Sequence, residues 1–254
     1  MNDTITSRQN AWFKRAHRAV REHGDEIVVE GPKQVADAIA AGWKPVVIIT
    51  TSGGAAGDLA GRRQAGRGAL QNEIRFAPPL FDVLADTKTS QGVLALFERP
   101  RDSLGDVLAR RDTIAVALDG VQDPGNVGTI VRLAAAFDAG GVIVLPGSAD
   151  PFSPKAIRAS AGAVLRLPIA SATRAEVASA ARPMLYTDRH GEASPPPARD
   201  AILVFGSEGS GVSDEMRRAA KPIAIPMADR VESLNVAAAA AILLWRSYES
   251  RSGR

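Results

Sequence analysis

The run TIAVAL at residues 113–118 has no polar face. A strand open to water on one side alternates polar with apolar residues, so an unbroken apolar run of this length belongs in a sheet covered on both faces. Behind it come the glycine-bearing stretch DGVQDPGN, an apolar helical segment and a second such run, GGVIVLPG. That order describes parallel strands joined by covering helices. The stretch AILVFGSEGSGVS repeats strand and glycine loop, and PIAIPMADRVESLNVAAAAAILLWRSYE gives a third strand and polar loop with a long helix to finish. The expected class is α/β. Ligands of open parallel sheets sit beyond the carboxyl ends of the strands, so these three loops are the expected site.

The first half is also an alternation of elements. EIVVEG reads as a buried strand, PKQVADAIAAG as a helix with Pro32 at its start and Gly42 past its end, and PVVIITT as a second strand, which together make a βαβ unit. SGGAAGDLAGRRQAGRG offers almost nothing to bury and reads as a loop or frayed helix. EIRFA, PPLFDVLADT and GVLALFE then give strand, helix and strand. With 254 residues the chain is long enough for two domains. The expected division is residues 1–97, a linker over 98–112 with room for a short helix, and residues 113–254. GEASPPPARD reads as a proline-rich surface loop.

Residues 1–23 hold Arg8, Lys14, Arg15, Arg18 and Arg21 against Asp3 and Glu22, an excess equal to the net charge of the whole chain, +3. Positive charge gathered this way suits a polyanionic partner. There is no cysteine, and MNDTITSRQN carries no apolar run, so neither a disulfide framework nor secretion is suggested and a cytoplasmic location is expected. VAAAAAILLW is too short to span a bilayer and reads as a buried helix. The three histidines, His17, His23 and His190, lack the spacing of metal ligands, and no metal site is expected.

In the first loop, Gly125 and Gly128 permit close backbone approach, and a helix beginning near Thr129 would aim its unpaired N–H groups at an anion. Arg132 then falls on the first turn, with Ile130, Val131, Ala134 and Phe137 facing inward. A turn asparagine at Asn126 and a solvated arginine account for the same pattern equally well. The second loop carries Gly206, Gly209 and Gly211 around Glu208. Its spacing fits a dinucleotide fingerprint poorly, Pro226 and Met227 stand where that fingerprint needs an acid, and no phosphate loop ending in Gly-Lys-Ser/Thr occurs. Glu208 capping backbone amides is the plainer reading of the second loop. In the third, Ser233 and Asn235 begin a helix of alanine and leucine, Ser233 as its expected cap. The alanines allow another backbone close by, so this helix is either central to its domain or part of a subunit contact.

Taken together, LDGVQDPGNVGTIVRLAAAFDAGGVIV, LVFGSEGSGVS and IPMADRVESLNVAAAAAILLW resemble the three motifs of the SpoU (TrmH-like) branch of the SPOUT methyltransferases, in order, spacing and loop chemistry, over residues 113 to about 248. The first half is similar to a small α/β (L30e-like) substrate-binding domain that precedes the SPOUT domain in many members, and the Gly/Arg-rich segment 53–68 departs from it. The resemblance implies a C-terminal trefoil knot, one of the rare exceptions to unknotted topology, and a homodimer with the cofactor in the knot and the RNA site shared between subunits.

It also implies methyl transfer from S-adenosylmethionine to a ribose 2′-hydroxyl of RNA. The expected substrate is 23S ribosomal RNA. The alternatives are transfer RNA as substrate, or a non-catalytic RNA-binding protein of the same fold; a nicotinamide-dependent oxidoreductase is disfavoured by the missing acid. Carried onto this chain, the family's pattern puts the cofactor against Gly206, Ile225, Met227 and Leu234. Asn126 and Arg132 face the ribose and its phosphate, Glu208 orients them, and Ser233 and Asn235 complete the site. Arg132 is the expected catalytic residue. Guanidinium ionises only above a pH of about 12, so a relay or stabilisation of a developing alkoxide suits it better than the role of a simple base. Arg8, Lys14, Arg15, Arg18 and Arg21 would meet RNA phosphates. Phe13 is expected in the core.

Overall fold

The computed structural model describes residues 4–22, 24–51, 73–87, 89–193, 196–197, 199–228 and 230–253, so the segment 53–68 lies outside the described residues. Two compact units emerge, Met1–Pro100 with Phe152–Ile157, and Arg101–Pro151 with Arg158–Arg254.

In the first unit, α1 (Ala11–Glu22) is followed by β1 (Glu26–Glu30), α2 (Pro32–Ala40), β2 (Pro45–Thr51), β3 (Glu73–Phe76), α3 (Pro78–Leu84) and β4 (Val93–Glu98). The sheet order is β1-β4-β2-β3, with β4 antiparallel to both neighbours and β2 parallel to β3. The expected βαβ unit is therefore split: β4 lies between β1 and β2. Val93 through Phe97 are wholly buried, and a strand with no polar face takes the place where both faces are covered. α1 turns Phe13, Ala16 and Ala19 into this core, where the Phe13 ring stands 6.1 Å from that of Phe76.

In the second unit come α4 (Leu104–Val107), β5 (Ala115–Asp119), α5 (Pro124–Ala136), β6 (Val142–Val144), α6 (Pro154–Ala159), β7 (Ile169–Ser171), α7 (Arg174–Ala178), β8 (Met184–Glu192), β9 (Ile202–Gly206), α8 (Asp214–Ala219), β10 (Lys221–Ile223) and α9 (Val236–Ser252), with α6 crossing between the two groupings. Six parallel strands run in the order β10-β8-β9-β5-β6-β7. Every residue of the two central strands, β5 and β9, is buried. The strands β7 and β8 are absent from the sequence reading, the first because it is only three residues long and the second because half of it is polar (TDRHGE). α9 is buried along Val236, Ala237, Ala239, Ala240, Leu243, Leu244 and Ser247, and Tyr248 meets Phe137 with ring centres 6.1 Å apart. The stretch expected as a surface loop departs from that role: Pro196 is buried, and the Pro197 carbonyl accepts the buried Ser247 hydroxyl at 2.6 Å. No helix among the described residues is long and apolar enough to cross a membrane.

Candidate active site

The first loop is shorter than the sequence suggests. Pro124 occupies the opening position of α5 and the Asp123 side chain accepts the Gly125 N–H at 3.2 Å, so the helix starts five residues before Thr129. Proline at N1 has its φ already set and gives up a donor that has no helical partner there. Asn126 thus lies in the first turn and Arg132 two turns further on, which corrects the placing of Arg132 at the helix mouth. Gly125 and Gly128 are helical residues, and part of the anion-binding capacity expected of the mouth is taken by Asp123. Beneath this loop, Ser148 Oγ accepts from Gly120 N–H (2.8 Å) and Val121 N–H (3.2 Å) and donates to the Leu118 carbonyl (2.8 Å).

The second loop folds back on its own strand. A Cβ on Gly206 would lie 2.2 Å from the Gly211 carbonyl carbon and 2.3 Å from the Val212 nitrogen, so the close approach that requires glycine here is made by the chain itself. Ser207 and Gly211 exchange backbone hydrogen bonds at 3.0 Å, and Ser207 Oγ accepts the Ser210 N–H at 3.1 Å. Amide capping in this loop thus belongs to Ser207, and Glu208 is left to reach outward. Asp119, at the end of β5, is 2 % exposed, and its carboxylate accepts Ser213 N–H and Arg174 Nε, each at 2.7 Å. Sequence reasoning passed over Asp119, Ser148 and Arg174. The available signal was an acid closing an otherwise apolar strand.

At the third loop the helix cap is Asn235, not Ser233. Asn235 Oδ1 accepts from Ala237 N–H (2.9 Å) and Ala238 N–H (3.3 Å), two of the donors a helix start leaves unpaired. Its Nδ2 donates to Asn126 Oδ1 at 3.3 Å, and Asn126 Nδ2 donates to Glu208 Oε1 at 2.7 Å. The direction of every bond in this chain is fixed at both ends, by helix N–H groups that can only donate and by a carboxylate that can only accept. Each asparagine keeps one amide hydrogen for a ligand. Asn126, Glu208 and Asn235, from three separate loops, are brought together. Arg132 and Ser233 are exposed, and their side chains make no hydrogen bond or ion pair among the described residues. Ile225, Met227 and Leu234 are half-buried, and among the described residues their main-chain groups make no hydrogen bond. No three His, Asp or Glu groups among the described residues stand together as a metal site.

The five basic residues of the N-terminal segment differ in their freedom. Arg15 Nε donates to both Glu26 oxygens at 3.0 and 2.9 Å while its guanidinium lies 5.2 Å from the Trp12 ring centre, Arg18 stands 3.8 Å from Glu22, and Arg21 Nε donates to His17 Nε2 at 3.2 Å. Arg8 and Lys14 are exposed without an ionic partner among the described residues. The groove beside α1 sets Lys14, Arg15 and Arg18 against Glu22, Asp25 and Glu26, so its charge is balanced.

The structure is that of an α/β protein with polar side chains and open backbone groups gathered beyond the carboxyl ends of a parallel sheet, the place where such folds bind ligands. Residues 113–245, more than half of the chain, match the SpoU rRNA Methylase family. The chain belongs to that family. It is 31% identical to the 23S rRNA (uridine(2479)-2′-O)-methyltransferase of Streptomyces viridochromogenes, over 98% of this chain and 93% of the relative. Among solved structures it is similar to the AdoMet-bound rRNA methyltransferase from Sinorhizobium meliloti, with a TM-score of 0.84 and 29% identity over 98% of each chain. It is also similar to the SpoU methyltransferase AviRb from Streptomyces viridochromogenes in complex with AdoMet, with a TM-score of 0.83 and 26% identity over 96% of this chain and 99% of that one.

Proposed function

We propose that this protein transfers the methyl group of S-adenosylmethionine to a ribose 2′-hydroxyl of ribosomal RNA. The observation that carries the reading is the one-way hydrogen-bond chain from the start of α9 through Asn235 and Asn126 to Glu208; on the segment leading into α9, Ile225, Met227 and Leu234 have open backbone groups among the described residues. Those residues suit the methyl donor: half-buried apolar side chains accept an adenine face, and unpaired main-chain donors and acceptors match its polar edge. Bound there, the donor supplies an electrophilic methyl on a sulfonium, and the named relatives support that assignment.

The remaining chemistry belongs to this chain. The spare amide hydrogens of Asn126 and Asn235 hold the ribose so that its 2′-oxygen lies in line with the methyl group. Arg132, permanently charged and with no side-chain partner among the described residues, turns to the ribose phosphate and the charge developing on the oxygen. The hydroxyl proton leaves to a phosphate oxygen or a carboxylate, and among the side chains of this cluster only Glu208 carries one. Ser233, exposed at the cluster's edge, closes it over the substrate.

The same proposal gives residues 1–97 the task of holding the RNA, with 98–112 as linker and 113–254 as a knotted catalytic domain acting as a homodimer. Val231 and Trp245, 53% and 48% exposed, supply apolar surface that a second copy would cover. Incubation with methyl-labelled S-adenosylmethionine and unmodified ribosomal RNA tests the function. Label is expected in ribosomal RNA, whereas label confined to transfer RNA would overturn the substrate.

A further inference from the structure

We propose that Asp119 is a positioning residue that holds both roots of the glycine loop and thereby sets the methyl-donor cradle and Glu208; the inference rests on the methyl-donor reading above. The loop leaves the sheet at Gly206 and re-enters regular structure at Ser213, the cap of α8. Asp119 meets both points. Its backbone lies opposite Gly206 in the β5–β9 ladder, and its carboxylate Oδ2 accepts the Ser213 N–H at 2.7 Å. The other oxygen accepts Arg174 Nε at 2.7 Å, and Arg174 Nη2 donates to the Pro146 carbonyl, also at 2.7 Å. One side chain, 0% exposed, therefore ties the carboxyl ends of β5 and β9 to the turn after β6.

A carboxylate in such a place is costly unless paired, and an aliphatic residue would fill the space at less cost. What it adds is direction: a charged acceptor fixes one backbone N–H, and so the angle at which the loop returns. Arg217 supports the same return from the other side, with Nε donating to the Val212 carbonyl at 2.8 Å. Glu208, two residues beyond the first root, is thereby held where its oxygen meets Asn126.

The test compares two variants that share the loss of the capping hydroxyl and differ in the backbone N–H at position 213. Ser213 sits at φ −62°, ψ 154°, a conformation that proline adopts, so Ser213→Pro deletes the N–H that Asp119 accepts, and Ser213→Ala is its reference because both variants lose the capping hydroxyl. Calorimetric titration of the dimer with S-adenosylhomocysteine should show Ser213→Pro binding at least about tenfold more weakly than Ser213→Ala, with equal affinity for ribosomal RNA. Equal affinity of the two variants for S-adenosylhomocysteine would overturn the proposal. Amide exchange at Ser213 in the unaltered protein provides a second test that does not depend on a variant folding. Strong protection without any ligand is expected, and exchange as fast as an open loop overturns the clamp. If the unaltered protein binds neither S-adenosylmethionine nor S-adenosylhomocysteine, the methyl-donor reading fails, and Ser213 exchange still decides whether Asp119 fixes the loop.

Discussion

Asn126 and Glu208 lie 82 residues apart in the chain, and the amide of one donates to the carboxylate of the other at 2.7 Å. This bond joins the first turn of α5 to the loop after β9 and, in the proposed function, sets which face of the Asn126 amide would meet substrate. Replacing Glu208 by Ala frees the Asn126 amide to turn, so kcat should fall about ten- to a hundredfold. Glu208 is exposed and Asn126 half-buried, and an exposed polar pair adds little to stability, so the melting temperature should stay close to that of the parent. A variant with unchanged kcat would mean that Asn126 needs no such orientation.

Arg132 makes no contact that folding requires. Arg132→Ala should therefore unfold within about 0.5 kcal/mol of the parent. Arg132→Lys keeps the charge and loses the planar fork, and single-turnover methylation should slow about a hundredfold or more. Wild-type turnover by the lysine variant would remove Arg132 from the chemistry.

Gly206 and Gly209 belong to one loop and should behave in opposite ways. A methyl group on Gly206 would strike the Gly211–Val212 backbone, while one on Gly209 meets nothing within 4 Å. Chemical denaturation should show Gly206→Ala losing about 4 kcal/mol or more, and Gly209→Ala within about 0.5 kcal/mol of the parent. Equal stabilities would contradict the packing described for the loop.

The three motifs could be read in the sequence because their chemistry is local: apolar strands with no polar face, followed by short polar loops. What could not be read depends on competition between neighbours. Ser233 and Asn235 are both good caps, and only the position of Asn126 shows why Asn235 is used. The start of α5 was misplaced because Gly125 and Gly128 suggest a loop, whereas Pro124 and Asp123 already fix a helix. The split of β1 from β2 by β4 is a long-range pairing that no local pattern reports. Asp119 is likewise set by a distant pairing, since its reach to Ser213 spans 94 residues.

The basic N-terminal segment should contribute unequally to RNA affinity. Lys14 is unpaired among the described residues, while Arg15 is already matched to Glu26, whose hydrogen bond raises the guanidinium's pKa against a small opposing effect of burial. Lys14→Ala should reduce the slope of log affinity against log salt by about 1. Arg15→Ala should change it less. Equal changes would show that the Glu26 pair opens on binding.

Asp138 stands at φ 52°, a conformation asparagine shares, and takes bonds of 2.7 Å from both Arg110 and Arg251. Hydrogen bonding, first from Arg110 and then from Arg251, holds its carboxyl below the ordinary range against the opposing effect of burial. A depressed folded-state value gives stability that is complete above the unfolded carboxyl value of about 3.9 and is lost as pH falls through the folded value. The side chain is 48% exposed, which limits the contribution to about 1 kcal/mol or less. Melting curves of Asp138→Asn should lie below the parent by a constant gap down to about pH 5 and converge in stronger acid. A gap that widens in acid would contradict the assignment.

In the proposed reaction the methyl group goes to a ribose oxygen. Ribosomal RNA labelled by this protein from S-adenosylmethionine should be hydrolysed in alkali and its products separated. A 2′-O-methyl group blocks cleavage at its own linkage, so the account predicts label in alkali-resistant dinucleotides. Label in mononucleotides would place the methyl group on a base and contradict it.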